Sequence, residues 1–137
     1  MATKGQMTGM LGTYLAAAEL THQGLIVSVT SRNARGADLL VADQEFKKAW
    51  SVQVKTNAKP ASFWLISKDY KSIVSPTLVY LFLNLRGDQK PDYYVVPSRI
   101  VAKHGTTTPE RSGGSIWYSF KRSIADSYKD KWSVFDV

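Results

Sequence analysis

Three runs that predict strands lie between residues 25 and 57, and they restrict the chain to folds that contain a sheet. The runs are 25–30 (LIVSVT), 37–43 (ADLLVAD) and 49–57 (AWSVQVKTN), and only short polar links separate them. In the third run valines alternate with polar residues, as in a strand with one buried face. Consecutive strands with short links are usually neighbours in space. The sequence therefore predicts an antiparallel meander.

A helix is predicted ahead of the meander, from about residue 6 to residue 23. Gly24 follows it, and glycine tolerates the left-handed conformation that often ends a helix. One set of apolar residues recurs at spacings of three and four, so we expect its face to be buried; the set is Met7, Met10, Leu11, Tyr14, Leu15 and Ala18. Leu20 lies opposite that face, which indicates a helix covered on two sides or one that meets a partner.

The second half of the chain continues the α/β pattern. Residues 75–85 are almost all apolar, as expected of a strand buried on both faces. Residues 91–101 predict an aromatic strand that is bent or ended at Pro97. A loop is expected over 105–114.

The last segment, 116–132, is predicted to be helical, because apolar residues recur every four positions in it; they are Ile116, Phe120, Ile124 and Tyr128.

The 137 residues are enough for one domain. Helix, meander, strands and helix in this order predict a single α/β domain over residues 1–137, an α/β sandwich with a mixed central sheet flanked by helices.

Charge indicates the class of partner. The chain has 18 Lys and Arg against 11 Asp and Glu, a net charge of +7 and a pI of about 9.7. A domain this basic is typical of proteins that bind nucleic acid; solubility alone or an acidic protein partner are the alternatives.

Cysteine is absent, which favours a reducing, cytoplasmic compartment, and no apolar run is long enough for a membrane span.

A possible phosphodiesterase site lies between residues 36 and 55. Asp38 stands in a run of Ala, Leu and Val, where a carboxylate is costly unless it has a partner or a metal. Gln53 and Lys55 share one face of the next predicted strand. A carboxylate, an amide oxygen and an ammonium group suit Mg²⁺-assisted phosphodiester hydrolysis. An ordinary salt bridge between Asp38 and Lys55 explains the spacing equally well.

The segments GADLLVAD and WSVQVKT resemble the D…(D/E/Q)-x-K core of the PD-(D/E)XK phosphodiesterase superfamily. This superfamily includes restriction enzymes, archaeal Holliday-junction resolvases and group I intron homing endonucleases. Some of the homing endonucleases have glutamine in place of the middle acid, as at Gln53. The resemblance covers roughly residues 3–57 and implies a restriction-endonuclease-like fold.

The resemblance also implies roles for individual residues. Asp38 matches the metal-binding aspartate, Gln53 the second metal-binding position and Lys55 the catalytic lysine. A backbone carbonyl near Val54 would complete the donor set for Mg²⁺ or Mn²⁺.

One position departs from the family pattern. Many members carry a glutamate on the first helix, eleven residues before the glycine that ends it, and that position is Thr13 here. Glu19 is the nearest glutamate. It is either a further metal ligand that approaches from another angle or a solvated or salt-bridged residue.

The resemblance implies a metal-dependent endonuclease that acts on DNA, as a homodimer when both strands of a duplex are cut. Arg32, Arg35 and Lys59 flank the predicted site and are candidates for phosphate contacts. The alternatives are an inactive DNA-binding domain of the same fold and a protein–protein interaction domain.

Overall fold

The computed structural model describes residues 1–31, 37–109 and 114–136. One long helix precedes a series of strands, with two short helices among the later ones. The elements are α1 (Lys4–His22), β1 (Ile26–Val29), β2 (Leu39–Ala42), β3 (Ala49–Asn57), β4 (Phe63–Leu65), β5 (Leu78–Arg86), β6 (Gln89–Pro97), α2 (Ser98–His104), β7 (Thr106–Pro109), β8 (Ile116–Lys121) and α3 (Arg122–Ala125). None of the helices in these ranges is both long and apolar enough to cross a membrane.

The central sheet has five strands in the order β1-β2-β3-β5-β6. The first three pair antiparallel, which confirms the predicted meander, and β3 then pairs parallel with β5. The β5–β6 hairpin completes a mixed sheet. On one face α1 packs over β1 and β3, and on the other lies a three-stranded sheet in the order β4-β8-β7. The predicted α/β sandwich with a mixed central sheet is confirmed.

Strand β5 separates two apolar clusters. Its first seven residues are buried, as the apolar run predicts. Leu81 and Leu83 pack in the cluster beneath α1. Tyr80 and Phe82 face the other way, where the Phe82 ring stacks on Phe120 of β8 with centroids 5.1 Å apart. Such a central strand holds its neighbour β3 firmly in place between two packed layers.

The buried face of α1 is not the one that the sequence predicts. Gly12, Ala16 and Leu20 are buried, whereas the side chains of the predicted stripe are mostly exposed, including Met7 at 55% and Tyr14 at 58%. The reason is close packing, because the Thr56 side chain of β3 occupies the space that a side chain at position 12 would need. A count of apolar residues overlooks a contact face made of glycine and alanine.

The predicted helix over 116–132 is wrong for its first part, since Ile116–Lys121 form strand β8. This strand pairs with β4 on one side and β7 on the other, and β7 lies in the segment predicted as a loop. Four of the six residues are β-branched or aromatic (Ile116, Trp117, Tyr118 and Phe120), a composition that suits a strand. Pairing on both edges overrides the four-residue spacing of the apolar row.

Candidate active site

Asp38 lies immediately before β2 and is tied to β3 through both backbone and side chain. Its N–H donates to the Val52 carbonyl at 2.8 Å. Its Oδ2 accepts a hydrogen bond of 2.8 Å from the N–H of Val54. This carboxylate is therefore held against β3, between Gln53 and Lys55 along that strand.

Strand register places two of the three predicted site residues, Gln53 and Lys55, on one face of the sheet. Leu39 pairs with Val52, and both are buried beneath α1. Because side chains alternate along a strand, Gln53 and Lys55 lie on the opposite face of β3, whereas Asp38, just before β2, lines a cavity on the α1 side together with Val54. The negative charge of Asp38 acts on the pKa of Lys55, and Gln53 shares a face of β3 with that lysine.

The electrostatics of Lys55 differ from those of a surface lysine. Burial lowers the pKa of Lys55, and the negative charges of Asp38 and Asp69 oppose that shift. The net effect is a lower pKa for Lys55, so the site stabilises the ammonium form less well than water does. A lysine held in this way is typical of functional sites.

Asp69 is a neighbour of the site that sequence reasoning missed. It lies in the loop between β4 and β5 and lines a cavity of about 770 Å³ together with Gln53. The loop is anchored by Tyr70, whose ring is buried and whose hydroxyl is 2.9 Å from Thr107 Oγ1. No local pattern marks Asp69, because its position depends on how this loop folds back over β3.

A second cavity lies on the α1 side of Asp38. Its volume is about 520 Å³, and its lining includes Thr13 and Tyr14 of α1 with Asp38 and Val54. The Thr13 hydroxyl donates to the carbonyl of Gly9 at 3.0 Å. Thr13 therefore stands in the cleft beside Asp38, at the helix position where the family pattern places a glutamate, and it contributes no negative charge there.

Glu19 lies elsewhere and forms a salt bridge, the second of the two possibilities that the sequence leaves open for it. Its carboxylate is 3.2 Å from Lys90 Nζ, with 10% of the Glu19 side chain exposed. Burial, together with the charges of Glu19 and Asp130, raises the pKa of Tyr93 to about 12. Glu19 lines neither cavity beside Asp38. Within the described ranges, no group of three or more His, Asp or Glu residues is arranged to hold a metal ion.

The three predicted phosphate contacts have different outcomes. Arg32 and Arg35 lie outside the described residues. Lys59 is exposed in the loop after β3. That loop is fixed by Asn57, whose amide donates to the Phe63 carbonyl at 2.8 Å and to the buried Asn84 Oδ1 at 3.0 Å.

Comparison with solved structures identifies the fold. The bacterial homing endonuclease I-Ssp6803I superposes with a TM-score of 0.62 at 16% identity, over 99% of this chain and 94% of that one. Hjc, a Holliday junction resolvase from the archaeon Archaeoglobus fulgidus, superposes with a TM-score of 0.50 at 11% identity, over 82% of this chain and 89% of that one. No protein-family model matches the chain, and no curated protein matches it by sequence.

The chain has the restriction-endonuclease-like fold that these two solved structures share. In this chain, Asp38 before β2 and the Gln53-x-Lys55 pair on β3 occupy adjacent strands of that fold.

Proposed function

We propose that this chain is a metal-dependent endonuclease that hydrolyses DNA phosphodiester bonds. One observation carries the proposal: the Asp38 carboxylate is fixed against β3 at Val54, between Gln53 and Lys55 along the strand, with one cavity lined by Asp38 and another lined by Gln53. Two nucleases share the fold, and the net charge of +7 suits a polyanionic substrate.

The donor atoms around Asp38 suit Mg²⁺ or Mn²⁺. One oxygen of Asp38 accepts the Val54 N–H and leaves the other for a cation. The N–H and C=O of one strand residue point to the same side, so the Val54 carbonyl faces Asp38 as well. With the Gln53 side-chain oxygen these are hard oxygen donors, which Mg²⁺ prefers. The bound ion would polarise the phosphate and lower the pKa of the attacking water.

The protein's own groups orient and stabilise the reacting atoms. Asp38 supplies the negative charge of the site and is kept in place by its bond to β3. Lys55, two residues along from Gln53, directs its ammonium group to the same face. There it orients water and offsets charge that develops on the phosphate in the transition state.

Nicking of supercoiled plasmid with Mg²⁺, with Mn²⁺ and with EDTA tests the proposal. We expect the wild type to nick only with metal, and Asp38→Asn and Lys55→Met to be inactive. Asp88→Asn and Lys47→Met, at exposed turn positions, are matched controls that should retain activity. An inert wild type, or nicking that survives both site variants, would refute the assignment.

A second candidate is a DNA-binding domain of this fold that has lost cleavage. Thr13 stands where the family pattern has an acid, and Glu19 is paired with Lys90 instead of lying at the site. A site with one carboxylate neutralises less of a divalent charge. An inert wild type that still shifts DNA in a salt-dependent manner would favour this candidate, whereas an absence of DNA binding at physiological salt would favour an acidic protein partner.

We also propose a cytoplasmic homodimer. The exposed apolar stripe on α1 offers a surface for a second copy, with Met7, Leu11 and Tyr14 at 55%, 50% and 58% exposure. These residues recur at four- and three-residue spacing, as a helix-to-helix contact requires. Sedimentation of the wild type and of Leu11→Glu should show a dimer and a monomer, respectively; a monomeric wild type refutes the proposal.

A further inference from the structure

Several exposed cations have no salt-bridge partner among the described residues, and three of these line cavities near the candidate site. These three are Lys68 in the β4–β5 loop, Arg99 in α2 and Lys131 near the end of the chain. Five other cations in the described ranges, by contrast, lie within 3.8 Å of a carboxylate; these are Lys47, Lys48, Arg86, Lys90 and Lys129. A cation that no carboxylate neutralises is free to bind an anion.

These three cations line two adjoining cavities. Lys68 belongs to the cavity of about 770 Å³ that also includes Gln53. Arg99 and Lys131 line another of about 540 Å³. Ser75 lines both, so the two cavities adjoin at this residue; together they are called the depression here, and its first part includes Gln53 of the candidate active site.

The border between the two cavities is rigid. The buried Ser98 side chain accepts the N–H of Ser75 at 3.1 Å and donates to its carbonyl at 2.8 Å. The Ser75 hydroxyl is in turn 3.1 Å from Thr77 Oγ1 and accepts the Thr77 N–H at 3.2 Å. These bonds hold two hydroxyl groups at the surface in a fixed arrangement.

The lining of the depression suits a phosphodiester backbone. Hydroxyl groups line it beside the cations, and Asp69 is the one acid among the lining residues of the two cavities; the hydroxyl residues are Ser51, Ser67, Ser75, Thr77 and Ser133. Lysine, arginine and hydroxyl side chains make most protein contacts to DNA phosphates. The depression carries a net charge of +2, from three cations and one acid.

We propose that the backbone of a DNA strand runs from the Asp38 site along this depression and across Ser75, with Lys68, Arg99 and Lys131 as its phosphate contacts. This inference rests on the proposed function only in taking DNA as the partner, and cleavage is not required for it. It assigns a direction to the bound strand, towards the end of the sheet where β3 and β5 begin.

Binding of a fluorescent DNA duplex, measured by anisotropy over a salt series without Mg²⁺, tests the path. The first variant is Lys68→Ala/Arg99→Ala/Lys131→Ala. Its matched control, Lys47→Ala/Arg86→Ala/Lys90→Ala, removes the same charge from cations that face carboxylates. We expect the first variant to lose at least about tenfold in affinity at low salt, and its log–log salt slope to become shallower by about 0.9 per lost contact.

A conservative variant, Lys68→Arg/Arg99→Lys/Lys131→Arg, should keep the wild-type slope and shows that loss of charge is the cause. Equal slopes for the alanine variant and its control would overturn the path, as would a wild type that does not bind DNA. A wild type that binds through these cations and does not nick plasmid leaves the path in place and removes the proposed cleavage.

Discussion

The carboxylate of Asp38 and the backbone N–H of Val54 are joined by a hydrogen bond of 2.8 Å. The bond crosses from the segment before β2 to β3, at the point where the β2–β3 ladder begins. Among the residues that the structure describes, no side chain hydrogen-bonds to this carboxylate, so the bond to Val54 is what orients it. Loss of charge and loss of this bond can therefore be separated by mutation.

Asp38→Asn keeps an acceptor for the Val54 N–H and removes only the charge. We expect plasmid nicking to fall by about 100-fold or more, the loss typical of one strong electrostatic contact to a transition state, with unchanged stability. Asp38→Ala should be equally inactive and about 1 kcal/mol less stable, because the N–H loses its partner. Urea unfolding and nicking of both variants check this, and an active Asp38→Asn would contradict it.

Gln53→Glu adds the carboxylate that most members of the superfamily carry at this position. The Mg²⁺ concentration for half-maximal nicking should fall at least about tenfold, because a unit charge close to a divalent ion contributes more than the ~1.4 kcal/mol that tenfold represents. Gln53→Ala is the control and should need more Mg²⁺ than the wild type. If Gln53→Glu has the same Mg²⁺ requirement as the wild type, Gln53 is not a metal donor.

Lys55→Met should abolish nicking and leave the protein at least as stable as the wild type at neutral pH. Burial lowers the pKa of Lys55, so the folded state holds its proton less tightly than the unfolded state, whose pKa is about 10.4. The unfolded wild type therefore binds more protons between the two pKa values, and wild-type stability rises with pH there. The difference in free energy of unfolding between Lys55→Met and the wild type, measured in urea, should therefore shrink as the pH rises through that window. A difference that stays constant with pH would contradict the burial of the Lys55 ammonium group.

The core of the site could be predicted because it is local. Alternation along β3 places Gln53 and Lys55 on one face, and short links bring Asp38 to the neighbouring strand. Asp69 could not be predicted, since its position beside the site depends on the buried anchor at Tyr70. The presence of a charged residue in a loop does not indicate which strand the loop will pack against.

The orientation of α1 was wrong for a related reason. Periodicity selects the most apolar stripe, yet the helix turns Gly12 and Ala16 to the sheet, because small residues allow the closest approach. The same stripe stays exposed, including Leu11 at 50%. The register of a helix on a sheet is thus decided by shape, which a hydrophobicity pattern does not record.

Glu19→Gln separates the structural role of this residue from a catalytic one. Its partner Lys90 is largely exposed, so loss of the pair should cost no more than about 1 kcal/mol. Nicking should match the wild type, because Glu19 lines neither cavity at Asp38. Plasmid nicking and urea unfolding of this variant measure both effects, and a variant that is stable yet inactive would return Glu19 to the metal site.

Gly12→Ala tests the close contact between α1 and β3. A methyl group at position 12 would collide with the Thr56 side chain, and overpacking of this kind costs about 1–3 kcal/mol. Gly9→Ala is the matched control in the same helix, where the methyl meets nothing within 4 Å, and it should gain about 0.5–1 kcal/mol. Urea unfolding should show a lower free energy of unfolding for Gly12→Ala and a higher one for Gly9→Ala than for the wild type.

The double variant Gly12→Ala/Thr56→Ala should recover part of the loss. The Thr56 hydroxyl is buried without a hydrogen-bond partner among the described residues, so its removal costs no hydrogen bond, and only the Cβ at position 56 then opposes the new methyl. A double-mutant cycle should give a favourable coupling energy between the two positions. If the losses in free energy of unfolding of the two single variants simply add, α1 moves away from β3 as a whole. Plasmid nicking should then fall too, because α1 forms one wall of the Asp38 cleft.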